Sequence, residues 1–268
     1  MTSENLGKEL DRFLEQYPET RFLEPLMPDI NGILRGKRIG VGEFGKAFGN
    51  GLNFCGAATL MDTHGNTLES IPYGANDGDP DIKAMAVPGT LAPVPWALAP
   101  TGQFLLQGIK LDGSPYPWDP RTILRQAMQP LYDLGLNPVL ATELEFYLVE
   151  HDGEKFMPLV PRIPGSDLPQ GGSQYAMMDD LYEFDDFIND LIDICALQNI
   201  PSGTALSEYS PGQFEVNLHH VDDPVLACDH AVLLKRAVKA AARRGGMAAT
   251  FMAKPFENIS GSGLHIHV

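Results

Sequence analysis

Three short stretches of this chain put acids or imidazoles on one face of extended backbone. The first is Thr142-Glu143-Leu144-Glu145-Phe146. Side chains two apart on a strand share a face, so Glu143 and Glu145 point one way while Leu144, Phe146 and Leu148 point into a core. Adjacent carboxylates repel and stay ionised only with a cation or solvent between them. Taken alone, the pair suits a solvated strand face as well as a cation site. The second stretch is Ser207-Glu208-Tyr209-Ser210-Pro211-Gly212-Gln213-Phe214-Glu215-Val216. Its Pro-Gly turn can bring Glu208 and Glu215 together, and a carboxylate between Phe214 and Val216 needs a partner. By itself this is most simply a hairpin with two acids. The third is Gly261-Ser262-Gly263-Leu264-His265-Ile266-His267-Val268. Here the two histidines share a face, and the glycines let backbone approach a ligand closely. An ordinary polar sheet face fits that pattern as well as a metal site does.

Together, four glutamates and one or two histidines on successive strands are harder to set aside. Hard oxygen donors with an imidazole suit Mg²⁺ or Mn²⁺ better than structural zinc. Carboxylate-rich paired metal sites clamp phosphoryl groups in transfer reactions. The chain has no P-loop, so phosphate would be met by metals and basic side chains.

The elements must hold those strands. With 268 residues, 44% of them hydrophobic and 20% charged, the chain has material for one large or two unequal domains. A formal charge of −16 disfavours nucleic acid or an anionic membrane as main partner, and most of the acids read as solvated surface. Cys55, Cys195 and Cys228 are far apart and form no CxxC pair, which points to a reducing compartment. No apolar run reaches the ~20 residues of a membrane span, and the first residues lack the marks of a signal peptide. A cytoplasmic protein is expected.

Residues 3–16 read as an amphipathic helix through Leu6, Leu10, Phe13 and Leu14. A Gly- and Pro-rich stretch follows, with short apolar runs between turn signals, and 53–68 reads as a hairpin turning at 63–66. The run 112–120 is a turn-rich linker, and the domain boundary is placed there. A helix should follow, with Ile123, Leu124, Met128 and Leu131 on one face. Then come a strand at 138–149, a helix at 181–198, a strand at 213–218, a helix at 225–244 closed by Gly245-Gly246, and a last strand at 263–268. The chain stops on that apolar strand with no cap or polar tail, as a C-terminally truncated piece would.

In order and spacing, these residues resemble the glutamine synthetase family. The resemblance runs from Asp29-Ile30-Asn31-Gly32-Ile33-Leu34-Arg35-Gly36-Lys37-Arg38 onward. It is carried by Glu143-x-Glu145, Glu208-x6-Glu215 with Pro211-Gly212-Gln213, Lys254-Pro255, and Gly261 to His267. It implies an α+β architecture: an N-terminal helix (1–20), a small β-grasp domain (21–115), and a catalytic domain (116–268, incomplete at its C-terminus) with an antiparallel open β-barrel and outer helices. It also implies an ATP-dependent ligase that makes γ-glutamyl phosphate and passes the acyl group to an amine, in a ring-shaped homo-oligomer. By motif, Glu145, Glu208 and Glu215 resemble the ligands of a first Mg²⁺ or Mn²⁺, and Glu143 with His265 those of a second. His267 resembles a residue at the ATP phosphates, and Ser260 with Gly261 the backbone site for glutamate. No catalytic acid or base is assigned.

Two departures refine the expectation. The family's Asp-Gly-Ser-Ser segment, whose Asp helps bind ammonium, is matched here by Gly51-Leu52-Asn53-Phe54-Cys55-Gly56-Ala57-Ala58, which has no acid. Asp62 reads as a turn residue. The Asn76-Asp77-Gly78-Asp79-Pro80-Asp81 run resembles the γ-glutamylpolyamine synthetase branch. An organic amine or polyamine is therefore favoured, with an ammonia-using glutamine synthetase and a non-catalytic homologue as alternatives. The family also places a further metal-binding Glu and several Arg beyond the position of Val268, so the 268-residue piece is expected to have little activity.

Overall fold

The computed structural model describes residues 3–68, 70, 77–172 and 175–268. Asn76, from the run that suggested an organic amine, lies outside them. By contact density the chain divides into two compact units, Met1–Gly135 and Leu136–Val268. Among the described residues no helix is long and apolar enough to cross a membrane.

The first unit begins with α1 (Ser3–Gln16), which buries Leu6, Leu10 and Phe13 as the sequence spacing predicts. Its strands are β1 (Phe22–Pro28), β2 (Leu34–Gly36) and β3 (Ile39–Gly40), then β4 (Leu52–Cys55) after a short helix α2 (Phe44–Gly49). They continue with β5 (Asp81–Ala86), β6 (Ala92–Pro93) and β7 (Thr101–Ile109). The sheet order is β2-β1-β7-β5-β4, with β1 and β7 parallel and the other pairs antiparallel. Leu23, Met27, Phe104 and Leu106 from the sheet meet Phe13, Phe44 and Phe48 from the helices in one core. The Asp29 to Arg35 segment is a tied turn. Buried Asp29 accepts from the Asn31 and Ile33 amides and from Arg35 Nε and Nη2 at 2.9–3.0 Å, and Gly32 supplies the positive φ of 67°.

The expected hairpin over 53–68 does not form. β4 pairs with β5 instead. Gly56–Leu60 winds into a buried 3-10 helix, because its unbroken small and apolar residues offer no polar face for an exposed strand. Asp62 is a turn residue, as expected, accepting from the His64 and Asn66 amides. The helix after the linker is α3 (Pro120–Asp133), capped by Asp119. Its inward residues are Arg121 and Thr122, while Ile123 stays exposed. Contact density groups α3 with the first unit, although the linker chemistry suggested a boundary before it.

The second unit is built on β8 (Ala141–His151). β9 (Phe156–Pro158), α4 (Met178–Glu183), α5 (Asp185–Leu197), β10 (Ser202–Ser207) and β11 (Gln213–Leu218) follow in order. The unit closes with α6 (Pro224–Arg244), β12 (Ala248–Thr250) and β13 (Leu264–His267). The sheet order is β10-β11-β8-β12, with β13 and β9 also on β8, and every pair is antiparallel. One face carries Leu144, Phe146, Leu148, Phe214 and Val216 into a core with Phe187, Leu191 and Ile194 of α5 and Leu234 and Val238 of α6. The helix expected at 181–198 is two helices. Phe184 leaves helical geometry (φ −111°, ψ 23°) and packs edge-on against Phe214. Asp185 and Asp186 then begin α5, where acids favour a helix N-terminus.

Candidate metal and ligand site

The polar face of the second sheet is a ladder of directly opposed residues. β8 alternates Glu143, Glu145 and Tyr147 on that face, and β11 alternates Gln213, Glu215 and Asn217. Antiparallel register sets Asn217 opposite Glu143, Glu215 opposite Glu145 and Gln213 opposite Tyr147. On the other side of β8, His265 lies opposite Glu143, and the Gly263 carbonyl accepts from the Glu145 amide at 3.2 Å. Glu208 joins from the turn before β11. Gly212 makes that turn at φ 73°, where a Cβ would meet the Leu159 carbonyl oxygen at 2.6 Å, so glycine is required there on both counts.

Among the described residues, two sets bring ligand-type atoms within 4.8 Å of one another: Glu143, Glu215 and His265, and Glu145, Glu208 and Glu215. All five residues named from the sequence are thus gathered, with Glu215 common to both groups. Glu143 holds both imidazoles, with Oε1 2.5 Å from His265 Nδ1 and Oε2 3.1 Å from His267 Nε2. The His267 ring is 6.3 Å from that of His220. Ser260 and Gly261 lie on the loop before β13 and reach the same face through Tyr147 and Gln213. The Tyr147 hydroxyl donates to the Ser260 carbonyl at 2.6 Å, and Gln213 Nε2 donates to the Gly261 carbonyl at 2.9 Å.

The electrostatics are those of crowded carboxylates. Burial, then the hydrogen bond and charge of Glu143, then the charge of Glu208 push the Glu215 carboxyl up to about 7. Glu208 is raised as well, by burial and by Glu145 and Glu143. Burial opposes ionisation of Glu143, but hydrogen bonds from His265, Glu215 and His267 outweigh it and hold that carboxyl low. The Glu143 hydrogen bond raises His265. One proton shared between Glu143 and Glu215 relieves a repulsion that a divalent cation would relieve more fully. Oxygen donors with one imidazole fit Mg²⁺ or Mn²⁺.

The sequence reading assigns no role to Gln213, Asn217 or Tyr147. Asn217 Nδ2 donates to Glu215 at 2.8 Å and to Glu143 at 3.3 Å. Gln213 Nε2 donates to Glu145 at 2.9 Å. The signal was present in the spacing, since 213, 215 and 217 share a face just as 143, 145 and 147 do.

The model for the glutamine synthetase catalytic domain matches residues 117–268. The chain is 42% identical to γ-glutamylputrescine synthetase PuuA of Escherichia coli K12 over 97% of its own length and 55% of that protein. It is 30% identical to glutamate–isopropylamine ligase of a Pseudomonas species, over 90% of the chain and 52% of that protein. It therefore spans about half the length of these curated relatives. A crystal structure described as a novel glutamine synthase homolog shares the fold, with a TM-score of 0.76, 23% identity, and coverage of 92% of this chain and 55% of that one.

Proposed function

The chain belongs to the glutamine synthetase family, and on that premise we propose that the intact protein joins the γ-carboxylate of L-glutamate to an organic amine, using ATP and passing through γ-glutamyl phosphate. The observation that carries this reading is the opposed ladder of Glu143, Glu145 and Glu215, completed by Glu208 and His265.

In this proposal Glu145, Glu208 and Glu215 hold one Mg²⁺ or Mn²⁺, and Glu143 with His265 holds a second. When bound, such ions supply charge neutralisation and polarisation at transferring phosphoryl oxygens. His267, anchored on Glu143, faces the ATP phosphates. Ser260 and Gly261 present backbone groups to the glutamate substrate, and the bonds from Tyr147 and Gln213 fix that backbone before substrate arrives, which saves ordering cost on binding.

The preference for an organic amine has two supports. The relatives at 42% and 30% identity are named for putrescine and isopropylamine. The stretch 51–58 itself carries no carboxylate, and the acid beside it, Asp79, accepts a hydrogen bond from the Cys55 thiol at 3.0 Å. We further read the first unit as a β-grasp domain after an N-terminal helix (1–20 and 21–115), because α1 packs on a mixed sheet with a parallel β1–β7 pair. Residues 116–268 are read as part of an open-barrel catalytic domain, and the intact protein as a cytoplasmic ring-shaped homo-oligomer.

The test is ADP release by the intact protein with glutamate plus putrescine, isopropylamine, ethanolamine or ammonia. Turnover with an organic amine well above that with ammonia is expected. Comparable turnover with ammonia alone rejects the amine preference. Calorimetry finding no Mn²⁺ binding at all rejects the ligase.

A further inference from the structure

The segment between β12 and β13 has no regular secondary structure, yet its last residues are tied one by one. Lys254 Nζ donates to the Ile259 carbonyl. The Ser260 amide donates to Ser210 Oγ at 3.0 Å, and its carbonyl accepts from the Tyr147 hydroxyl at 2.6 Å. The Gly261 carbonyl accepts from Gln213 Nε2 at 2.9 Å. The Ser262 amide donates to the Ala253 carbonyl at 2.9 Å.

Gln213 is the one side chain in this set that also touches an acid of the ladder. It is 1% exposed, and its Nε2 donates both to Glu145 Oε2 and to the Gly261 carbonyl, each at 2.9 Å. Its Oε1 lies 3.2 Å from the Tyr147 hydroxyl. The amide orientation is determined by chemistry. A carboxylate and a carbonyl only accept, so they require the NH₂ end, which leaves Oε1 facing Tyr147. Both amide hydrogens are thus committed, one to Glu145 and one to the 260–263 loop.

We propose that Gln213 is a positioning residue that couples the two halves of the site: its amide sets the Glu145 carboxylate and the Gly261 carbonyl in one geometry, so that divalent-cation binding and glutamate binding each strengthen the other. This rests on the roles given above to Glu145 and to Ser260–Gly261. A shift of Glu145 toward a cation moves the Gln213 amide, and through it the loop. A ligand that orders the loop holds the amide, and through it Glu145. Coupling of this kind is reciprocal. Tyr147 contacts the loop and Gln213 but forms no hydrogen bond to Glu145, which separates the two arms.

The experiment measures Mn²⁺ affinity of the intact protein by calorimetry, with and without saturating glutamate, and KM for glutamate, in wild type, Gln213→Met, Gln213→Glu and Tyr147→Phe. Wild type is expected to bind Mn²⁺ at least about fivefold more tightly with glutamate present. Gln213→Met should bring that ratio close to one in a protein that still folds. Gln213→Glu keeps the shape and the acceptor facing Tyr147 but lacks the donors, so it should lose the ratio too, and it decides the matter if the Met variant does not fold. Tyr147→Phe should raise KM for glutamate and leave Mn²⁺ affinity without glutamate unchanged. A ratio that stays at the wild-type value in a folded Gln213 variant overturns the coupling while leaving the ligase reading intact. Failure of wild type to bind Mn²⁺ overturns both.

Discussion

Gly263 lies so close beneath the Glu145 carboxylate that a Cβ at Gly263 would stand 2.6 Å from Glu145 Oε1 and 3.1 Å from His265 Cε1. The glycine is there for space. Its φ is not positive, so alanine could adopt the backbone. Gly263→Ala should therefore leave the fold in place and push Glu145 off its position. Since misplaced ligand shells cost roughly 10- to 100-fold in metal affinity, Mn²⁺ binding is expected to weaken by about tenfold with little change in melting temperature. Equal Mn²⁺ affinity in the two proteins would show that the Glu145 position does not matter for the ion.

The pH dependence of stability follows from the raised and lowered groups, each with its own sign. Glu215 is raised from an ordinary 4.5 to about 7. The stability it contributes is present below its ordinary value and is lost as pH rises through about 7. His265 is raised above 6.5, so its contribution is complete below 6.5 and is also lost with rising pH. Glu143 is lowered, and its contribution persists above 4.5 and is lost only in acid. With chelator present, the urea midpoint should fall from about pH 5 to about pH 8. With Mn²⁺ present the fall should vanish, because the cation replaces the shared proton. A chelated protein whose midpoint rises over that range would contradict the assignment.

How much of this was legible depends on the scale of the pattern. The shared faces of Glu143 with Glu145, and of His265 with His267, follow from a period of two, and the Glu208–Glu215 approach follows from Pro211-Gly212. Those local rules also located α1, α6 and β11. Register was not legible. Alternation gives the face of a strand but not its neighbour, so nothing in the sequence sets Asn217 opposite Glu143 or Gly263 against Glu145. The same blindness to partners produced the hairpin at 53–68: β4 pairs with β5 instead, and Gly56–Leu60 is buried as a 3-10 helix. The break at Phe184 was hidden because its cause is a contact with Phe214 on another element.

In the first unit, Asp119 is the capping residue of α3 and also accepts from the Gly108 amide at 2.8 Å and from the Thr122 amide at 3.0 Å. It is fully buried, and burial raises its carboxyl despite those bonds. Asp119→Ala leaves two buried amides without acceptors and should cost about 1–3 kcal/mol. Trp96 and Trp118, the two tryptophans of the chain, both lie in this unit, so their fluorescence in urea reports it. An unchanged midpoint would mean that solvent satisfies both amides.

Asn217 offers the sharpest test of the acidic ladder. Its Nδ2 donates to Glu215 at 2.8 Å and to Glu143 at 3.3 Å, and the bond to Glu215 is the one contact that lowers that carboxyl against burial and two neighbouring acids. Removing the donor leaves those raising effects unopposed, so in Asn217→Ala the Glu215 proton should leave at a higher pH. A cation has to displace that proton. The midpoint of Mn²⁺ affinity against pH is therefore expected to move upward in the variant, while affinity well above neutrality stays near wild type because Asn217 presents its NH₂ end, not its oxygen, to Glu215 and Glu143. A uniform loss of affinity at every pH would instead make Asn217 a structural support of the strand, and a midpoint that does not move would remove it from the electrostatics of the site.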